Sequence, residues 1–370
     1  MHPARAEIDL SAVRHNVAAI AALVGPAELC AVVKANGYGH GAPGVARAAV
    51  EAGATWLGVA HVDEGIRLRD AGLEGRILLL SEPEGPEMKA AVARGLTPTV
   101  YRKSGIDAAG AAARSFGREP LAVHLKVNTG MNRAGAQPAD AVALACAVVE
   151  HPSLSLEGLW THCAVADEPD NPFTATQLAR FDSVVDELAD ARIRPAMLHA
   201  ANSAGAIAHP DSRLDLVRCG IAIYGIAPSP ALADRLDLRP AMCLKAPVRF
   251  VHTVAAGEGV SYGLRRHVER DTVVATVPLG YEDGVSRRLG LAGGMVLLGG
   301  RKRPILGTVT MDQFMVGCDD DQDVAVGDEV VLIGEQGGER ITADDWAGWL
   351  DTIAYEIVCS LGQRVPRIDV

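Results

Sequence analysis

The stretch Ala31-Val32-Val33-Lys34-Ala35-Asn36-Gly37-Tyr38-Gly39-His40-Gly41 decides how the chain is read. It closes a β-rich run on three apolar residues, places one cation at the end, and turns on closely spaced glycines. An alanine-rich segment of helical length follows over residues 44–52. That is one strand–turn–helix unit, and the rhythm recurs. β-rich runs at 29–34, 56–60, 76–81, 97–101, 123–128, 156–162, 197–202 and 216–224 make eight. Between them lie segments such as 139–149, 174–190 and 203–208, several with Leu, Val and Ala at helical spacing. Eight such units fit a closed parallel (β/α)8 TIM-type barrel better than an open doubly wound sheet, so an α/β class is expected.

After Pro240 the texture changes. Alternating runs with glycine-rich turns dominate, at 248–255, 272–278, 295–298, 305–309, 314–317 and 329–333, and alanine-rich stretches return only in the last forty residues. This predicts a mostly antiparallel C-terminal β domain. Pro228, Pro230 and Pro240 mark the boundary, giving a barrel over 1–238 and a β domain over 239–370. The first few residues are expected to pair with the second domain.

The 370 residues carry 35 basic against 46 acidic side chains, a net charge of -11. An excess of that sign repels phosphate backbones and anionic lipid, which excludes nucleic acid and membrane surfaces as partners. Cys30, Cys146, Cys163, Cys219, Cys243, Cys318 and Cys359 are odd in number and form no CxxC pair. They read as reduced thiols of a cytoplasmic protein, with no metal site. The apolar segment 17–24 is too short to span a bilayer, and Val13, Val17, Ile20 and Leu23 have helical spacing, with Ser11 as its expected N-cap. No export signal is visible.

Active sites of such barrels occupy the C-terminal strand ends. Lys34 at the first end, beside apolar walls, would have a lowered pKa and could form a Schiff base, where a surface lysine would merely snorkel. Other strand ends supply Lys126-Val127-Asn128-Thr129-Gly130-Met131-Asn132-Arg133, Thr161-His162, His199-Ala200-Ala201-Asn202-Ser203 and Arg218-Cys219-Gly220-Ile221. Each has an ordinary structural role available: His162 a core histidine, Arg218 a salt-bridged cation, Ser203 a helix N-cap. Their shared placement is what distinguishes them. Asn202-Ser203 and Gly220-Ile221 follow strands seven and eight, where barrels build phosphate sites from loop amides and a helix N-terminus. A lysine facing a phosphate cradle points to pyridoxal phosphate.

The segment Ala31–Gly41 resembles the cofactor-lysine signature of the alanine racemase family. So do Thr129–Arg133, Thr161-His162, His199–Ser203, Arg218–Ile221 and Tyr224-Gly225 in the first domain. In the second, Ser261-Tyr262-Gly263, Gly280-Tyr281, Gly307–Asp312 and Arg364–Arg367 look like family blocks. The resemblance covers essentially the whole chain. It implies two-base interconversion of L- and D-alanine, supplying D-alanine for peptidoglycan, with pyridoxal phosphate on Lys34. Lys34 would be one base and Tyr262, contributed by the partner subunit of a homodimer, the other. His162 would lie near Tyr262 and Arg218. Arg218 would face the pyridine nitrogen, and Arg133 the phenolic oxygen and the substrate carboxylate. Tyr38, Ser203, Gly220, Ile221 and Tyr355 would hold the phosphate, with His162 and Asn202 also lining the cofactor. Met311, Asp312 and Tyr281 would stand at the substrate entrance.

Lys126 matches a lysine that is often carbamylated in the family, but Asn128 replaces the aspartate usual before Thr-Gly, which alters the bracing of Arg133. A serine or broad-specificity racemase is an alternative reading. A basic amino-acid or diaminopimelate decarboxylase of the barrel type fits less well, because those set an acidic residue where Arg218 stands. A single-barrel cofactor carrier would lack the second domain.

Overall fold

The computed structural model describes residues 2–319 and 323–370. The chain forms two compact units, one of Ser11–Pro240 and one that joins the N-terminal residues up to Leu10 with Ala241–Val370. The first strand, β1 (Arg5–Ile8), belongs to the second unit.

The first unit is the expected barrel. Its strands are β2 (Glu28–Val32), β3 (Trp56–Val59), β4 (Arg76–Leu79), β5 (Thr99–Val100), β6 (Leu121–Lys126), β7 (Leu154–Trp160), β8 (Met197–His199) and β9 (Leu216–Cys219). Parallel pairing runs β9-β2-β3-β4 and β5-β6-β7-β8. The two arcs close into a ring. Thr97 donates to Ile77 O at 2.8 Å on one side, and Arg218 donates from its backbone to Ala201 O at 3.0 Å on the other.

Period-two alternation explains how the strands divide their side chains. In β6, Val123 and Leu125 are fully buried against the helices, in a cluster with Ile106, Val148, Phe181 and Val184. Each such side chain contributes about 1.5–3 kcal/mol by leaving water. The intervening His124 and Lys126 meet Trp56, on β3, and Trp160, on the neighbouring β7. Helices such as Lys103–Phe116, Pro138–Val149 and Phe173–Asp190 form the outer layer. The leading helix spans Leu10–Val24, so Ser11 lies inside it and is not its N-cap; Asp9 precedes it.

The second unit is a long sheet in the order β11-β14-β17-β16-β15-β18-β10-β1-β20. Its members are β10 (Met242–Pro247), β11 (Phe250–Val254), β14 (Thr272–Val277), β15 (Met295–Leu298), β16 (Arg301–Leu306), β17 (Phe314–Gly317), β18 (Glu329–Gln336) and β20 (Arg367–Asp369). A small ribbon, β12 (Gly259–Val260) with β13 (Arg266–His267), and β19 (Glu339–Ile341) complete it. Pairing is antiparallel except between β1 and β20. The β15–β16 hairpin turns on Gly299 and Gly300, with φ of 64° and 72°. Two positive φ values in a two-residue turn match the right-handed twist of the flanking strands, and glycine adopts them without strain. Helices Ala343–Leu350 and Ala354–Cys359 account for the late alanine-rich stretches. No helix among the described residues is long and apolar enough to cross a membrane.

Candidate active site

Strand β2 ends at Val32, and Lys34 opens a left-handed turn. Ala35, Asn36, Gly37 and Tyr38 have φ of 52°, 52°, 64° and 49°. Non-glycine residues there cost about 1–2 kcal/mol each. Hydrogen bonds offset this: Ala35 N–H donates to Glu64 Oε1 at 2.6 Å, Gly37 N–H to Val33 O at 2.8 Å, and Ala42 N–H to Asn36 Oδ1 at 3.1 Å. Strain held this firmly is characteristic of functional sites.

At the ends of β8 and β9 the loops converge. Asn202, and not Ser203, caps the short helix Ser203–Ala208, accepting from Gly205 N–H at 2.9 Å. Ser203 Oγ instead accepts from Gly220 N–H at 2.9 Å and lies 3.4 Å from Ala222 N. Ile221 opens a short 3-10 turn, and its N–H meets no acceptor among the described residues. A Cβ on Gly220 would sit 2.4 Å from Tyr38 Oη, so only glycine admits that hydroxyl. Tyr38 packs on Tyr224 with ring centroids 5.0 Å apart, and Tyr224 Oη donates to Val32 O at 3.0 Å. Tyr224 thus ties the turn to β2, a role its place in an apolar run concealed.

Arg218, on β9, is buried. Nη1 donates to His199 Nδ1 at 2.8 Å, and Nη2 donates to Thr161 O at 2.8 Å and Ala200 O at 3.0 Å. His162 Nδ1 lies 3.3 Å from Nη2. The Nε–H meets no acceptor among the described residues. Burial pulls the guanidinium down to about 10, which leaves it charged at neutral pH.

Lys126 Nζ lies 4.5 Å from the centroid of Trp160, whose ring also faces Arg218 at 4.5 Å. Burial first, then the cations Arg133, Arg218 and Lys34, bring Lys126 down to about 7. Burial and the same group of cations, with Lys126, hold His162 well below its usual range, so its imidazole is neutral. Lys34, Lys126, Arg133, Arg218 and His162 therefore share one positive neighbourhood suited to phosphate and carboxylate. Just before Arg133 the loop is closed by neutral amides. Asn128 Oδ1 accepts from Asn132 N–H at 2.9 Å, and Asn128 Nδ2 donates to Asn132 Oδ1 at 2.9 Å.

The remaining expected residues stand on the second unit. Tyr262 follows β12 and is 72% exposed. Its loop is pinned by Ser261 Oγ donating to Thr308 O at 2.6 Å and Thr308 Oγ1 donating to Tyr262 O at 3.2 Å. Tyr281 N–H donates to Thr310 O at 3.0 Å, and a Cβ on Gly280 would lie 2.0 Å from Met311 O. Asp312 pairs with Arg364 at 2.9 Å, which also holds the buried Asp283. Tyr262, Tyr281, Met311 and Asp312 thus occupy interlocked loops of that unit. Tyr355 is half-buried on Ala354–Cys359. Beside that helix is a cavity of about 450 Å³ lined by Tyr281, Arg288, Trp346, Thr352 and Glu356. No cluster of metal-ligating side chains occurs among the described residues.

Among enzyme classes, this fold and donor set fit those that hold pyridoxal phosphate at a barrel mouth. Comparison with known proteins narrows the class. Residues 8–228 match the alanine racemase N-terminal domain and residues 241–369 the alanine racemase C-terminal domain. An alanine racemase of Symbiobacterium thermophilum is 48% identical over 367 residues, covering 99% of this chain and 97% of the relative. The alanine racemase of Streptomyces coelicolor A3(2) superposes with a TM-score of 0.95 at 43% identity, over 100% of this chain and 98% of that one. That of the D-cycloserine producer Streptomyces lavendulae gives 0.94 at 42%, over 100% and 97%. The chain belongs to the alanine racemase family, whose members depend on pyridoxal phosphate.

Proposed function

We propose that the protein interconverts L- and D-alanine by a two-base route, with pyridoxal phosphate carried on Lys34, and so supplies D-alanine for peptidoglycan. The observation that carries this reading is Arg218, a buried cation with both Nη groups engaged and its Nε–H left to donate. Arginine cannot accept a hydrogen bond, so a ring nitrogen placed against it stays unprotonated. Decarboxylases of the related type place an acidic group there.

The residues fit the cofactor. Lys34 offers an amine at the barrel mouth, and Ser203, Ile221, Tyr38 and Tyr355 would supply hydroxyl and amide donors for the phosphate, with Gly220 leaving room for the Tyr38 hydroxyl and Asn202 capping the helix that Ser203 opens. When bound, pyridoxal phosphate supplies the electron sink that makes the substrate Cα proton removable. Lys34 Nζ takes or returns that proton on one face, and Tyr262 Oη does so on the other. Arg133 grips the substrate carboxylate, which suits a planar guanidinium. Lys126, with a proton half lost near neutrality, is poised for carbamylation, and the resulting anion braces Arg133 where Asn128 contributes no charge. Met311, Asp312 and Tyr281 shape the entrance and admit a methyl-sized side chain. Tyr262 reaches the barrel site of the partner subunit, so the working unit is a homodimer with shared sites. The seven free thiols agree with a cytoplasmic location.

Borohydride reduction of the holoenzyme followed by peptide mapping is expected to fix the cofactor on Lys34, with no label in Lys34→Ala. L-alanine then yields D-alanine without release of carbon dioxide, and faster than L-serine yields D-serine. Label on another lysine would overturn the assignment.

A further inference from the structure

Behind Arg218 runs a line of buried side chains that the reaction described above does not use. Arg218 Nη1 is 2.8 Å from His199 Nδ1, His199 Nε2 is 2.8 Å from His124 Nδ1, and His124 Nε2 is 3.3 Å from Glu157 Oε2. Both histidines are fully buried, while Glu157 reaches the protein surface and pairs with Arg76 at 3.1 Å. The rings are held by aromatic neighbours. His199 stacks on Trp160 at 5.5 Å, and His124 meets the edge of Trp56 at 5.2 Å. Space for His124 exists only because residue 158 is glycine, since a Cβ there would lie 2.3 Å from His124 Nδ1.

The two ends of this line permit one direction only. Arginine donates and never accepts, so His199 Nδ1 must be the acceptor and the proton sits on Nε2. That proton points at His124 Nδ1, which must then accept, placing the second ring's proton on Nε2, toward Glu157. A carboxylate only accepts, and the line ends there. A proton added at either Nδ1 would set donor against donor, so both rings stay neutral. Burial depresses both imidazoles, the largest cause in each, which agrees with this pattern.

We propose that Glu157, His124 and His199 are positioning residues forming a one-way hydrogen-bond relay that fixes the Arg218 guanidinium and sets the Glu157 carboxylate as its remote counter-charge. The effect on catalysis rests on Arg218 facing the cofactor as proposed above. No proton travels along the relay. Its work is to polarise each successive N–H toward Glu157, so that Arg218 keeps one orientation and offers its remaining Nε–H with undiminished strength. The groups facing the two imidazoles are Arg218 and Glu157 at the ends, with Arg76 beyond Glu157.

The test has two readouts. In 15N-histidine-labelled protein without cofactor, His124 and His199 are expected as neutral Nε2–H tautomers between about pH 6 and about pH 9. In the holoenzyme, Glu157→Gln keeps an acceptor but removes the charge, and is expected to lower kcat by about tenfold, a loss in keeping with a charge-assisted hydrogen bond made neutral. KM for alanine is expected to change by less than about twofold, since Arg133 and not Arg218 holds the substrate carboxylate. Arg76→Met breaks the surface ion pair while leaving the His124 contact, and is expected to retain wild-type kcat. A proton on either Nδ1, or Glu157→Gln indistinguishable from Arg76→Met, would overturn the relay. The tautomers are read without cofactor, so failure of the Lys34 assignment is recognised separately, by the borohydride label.

Discussion

Lys126 is half titrated at neutral pH, and the cost of keeping it charged is written into the stability of the protein. Its ordinary pKa is about 10.4 in an unfolded chain, against about 7 in the folded one. Between those values the unfolded chain binds the proton and the folded chain does not, so stability rises with pH across this window. Below it, both states are protonated and the full penalty remains. In buffer free of carbon dioxide, the urea midpoint of the wild type is therefore expected to climb between about pH 7 and about pH 10, and to climb less in Lys126→Met. Equal slopes would mean that Lys126 is not the depressed group. At this scale the sequence was readable where a polar residue ends an apolar run, as at Lys34, Ser203 and Arg218. His124 and Glu157 gave no such signal. They lie within strands, and their partners come from strands 33 and 75 residues away.

The barrel strands were legible because each is a short apolar run bounded by a turn, and all eight runs became strands. Their ends were not. β2, β8 and β9 stop two to five residues before the apolar pattern does, because the chain leaves the sheet for the turns that carry Lys34, Asn202 and Gly220. In the second unit, β12 and β13 are two residues each, too short to show alternation. β20 is recognisable as a strand only once it pairs with β1. Gly158 shows how an element depends on one missing atom. In Gly158→Ala the added methyl must displace the fully buried His124 ring, and a loss of about 1–3 kcal/mol in unfolding free energy is expected. Urea unfolding measures it, and a variant as stable as wild type would show that the barrel interior yields at no cost.

At the scale of the molecule, an acidic chain of net charge -11 gathers the four cations Lys34, Lys126, Arg133 and Arg218 at one barrel end, while the tyrosine assigned as second base stands on the other unit. The proposed sharing of sites between subunits makes a sharp forecast. Lys34→Ala and Tyr262→Phe are each expected to be inactive, yet mixing them under conditions of subunit exchange should restore about a quarter of wild-type activity, because half the dimers are hybrids and each hybrid has one intact site. No recovery, with exchange demonstrated, would place both bases in one subunit.

β1 carries a further consequence, one of time. It is made before either of its partners, β10 and β20. The barrel has all its strands by residue 219, whereas β20 is added only with residues 367–369. Until those partners are made, β1 is an unclaimed edge of the kind that invites pairing with another nascent chain. Arg5 and Glu7, alternating with the buried Ala6 and Ile8, place a charge at every second position of that waiting edge.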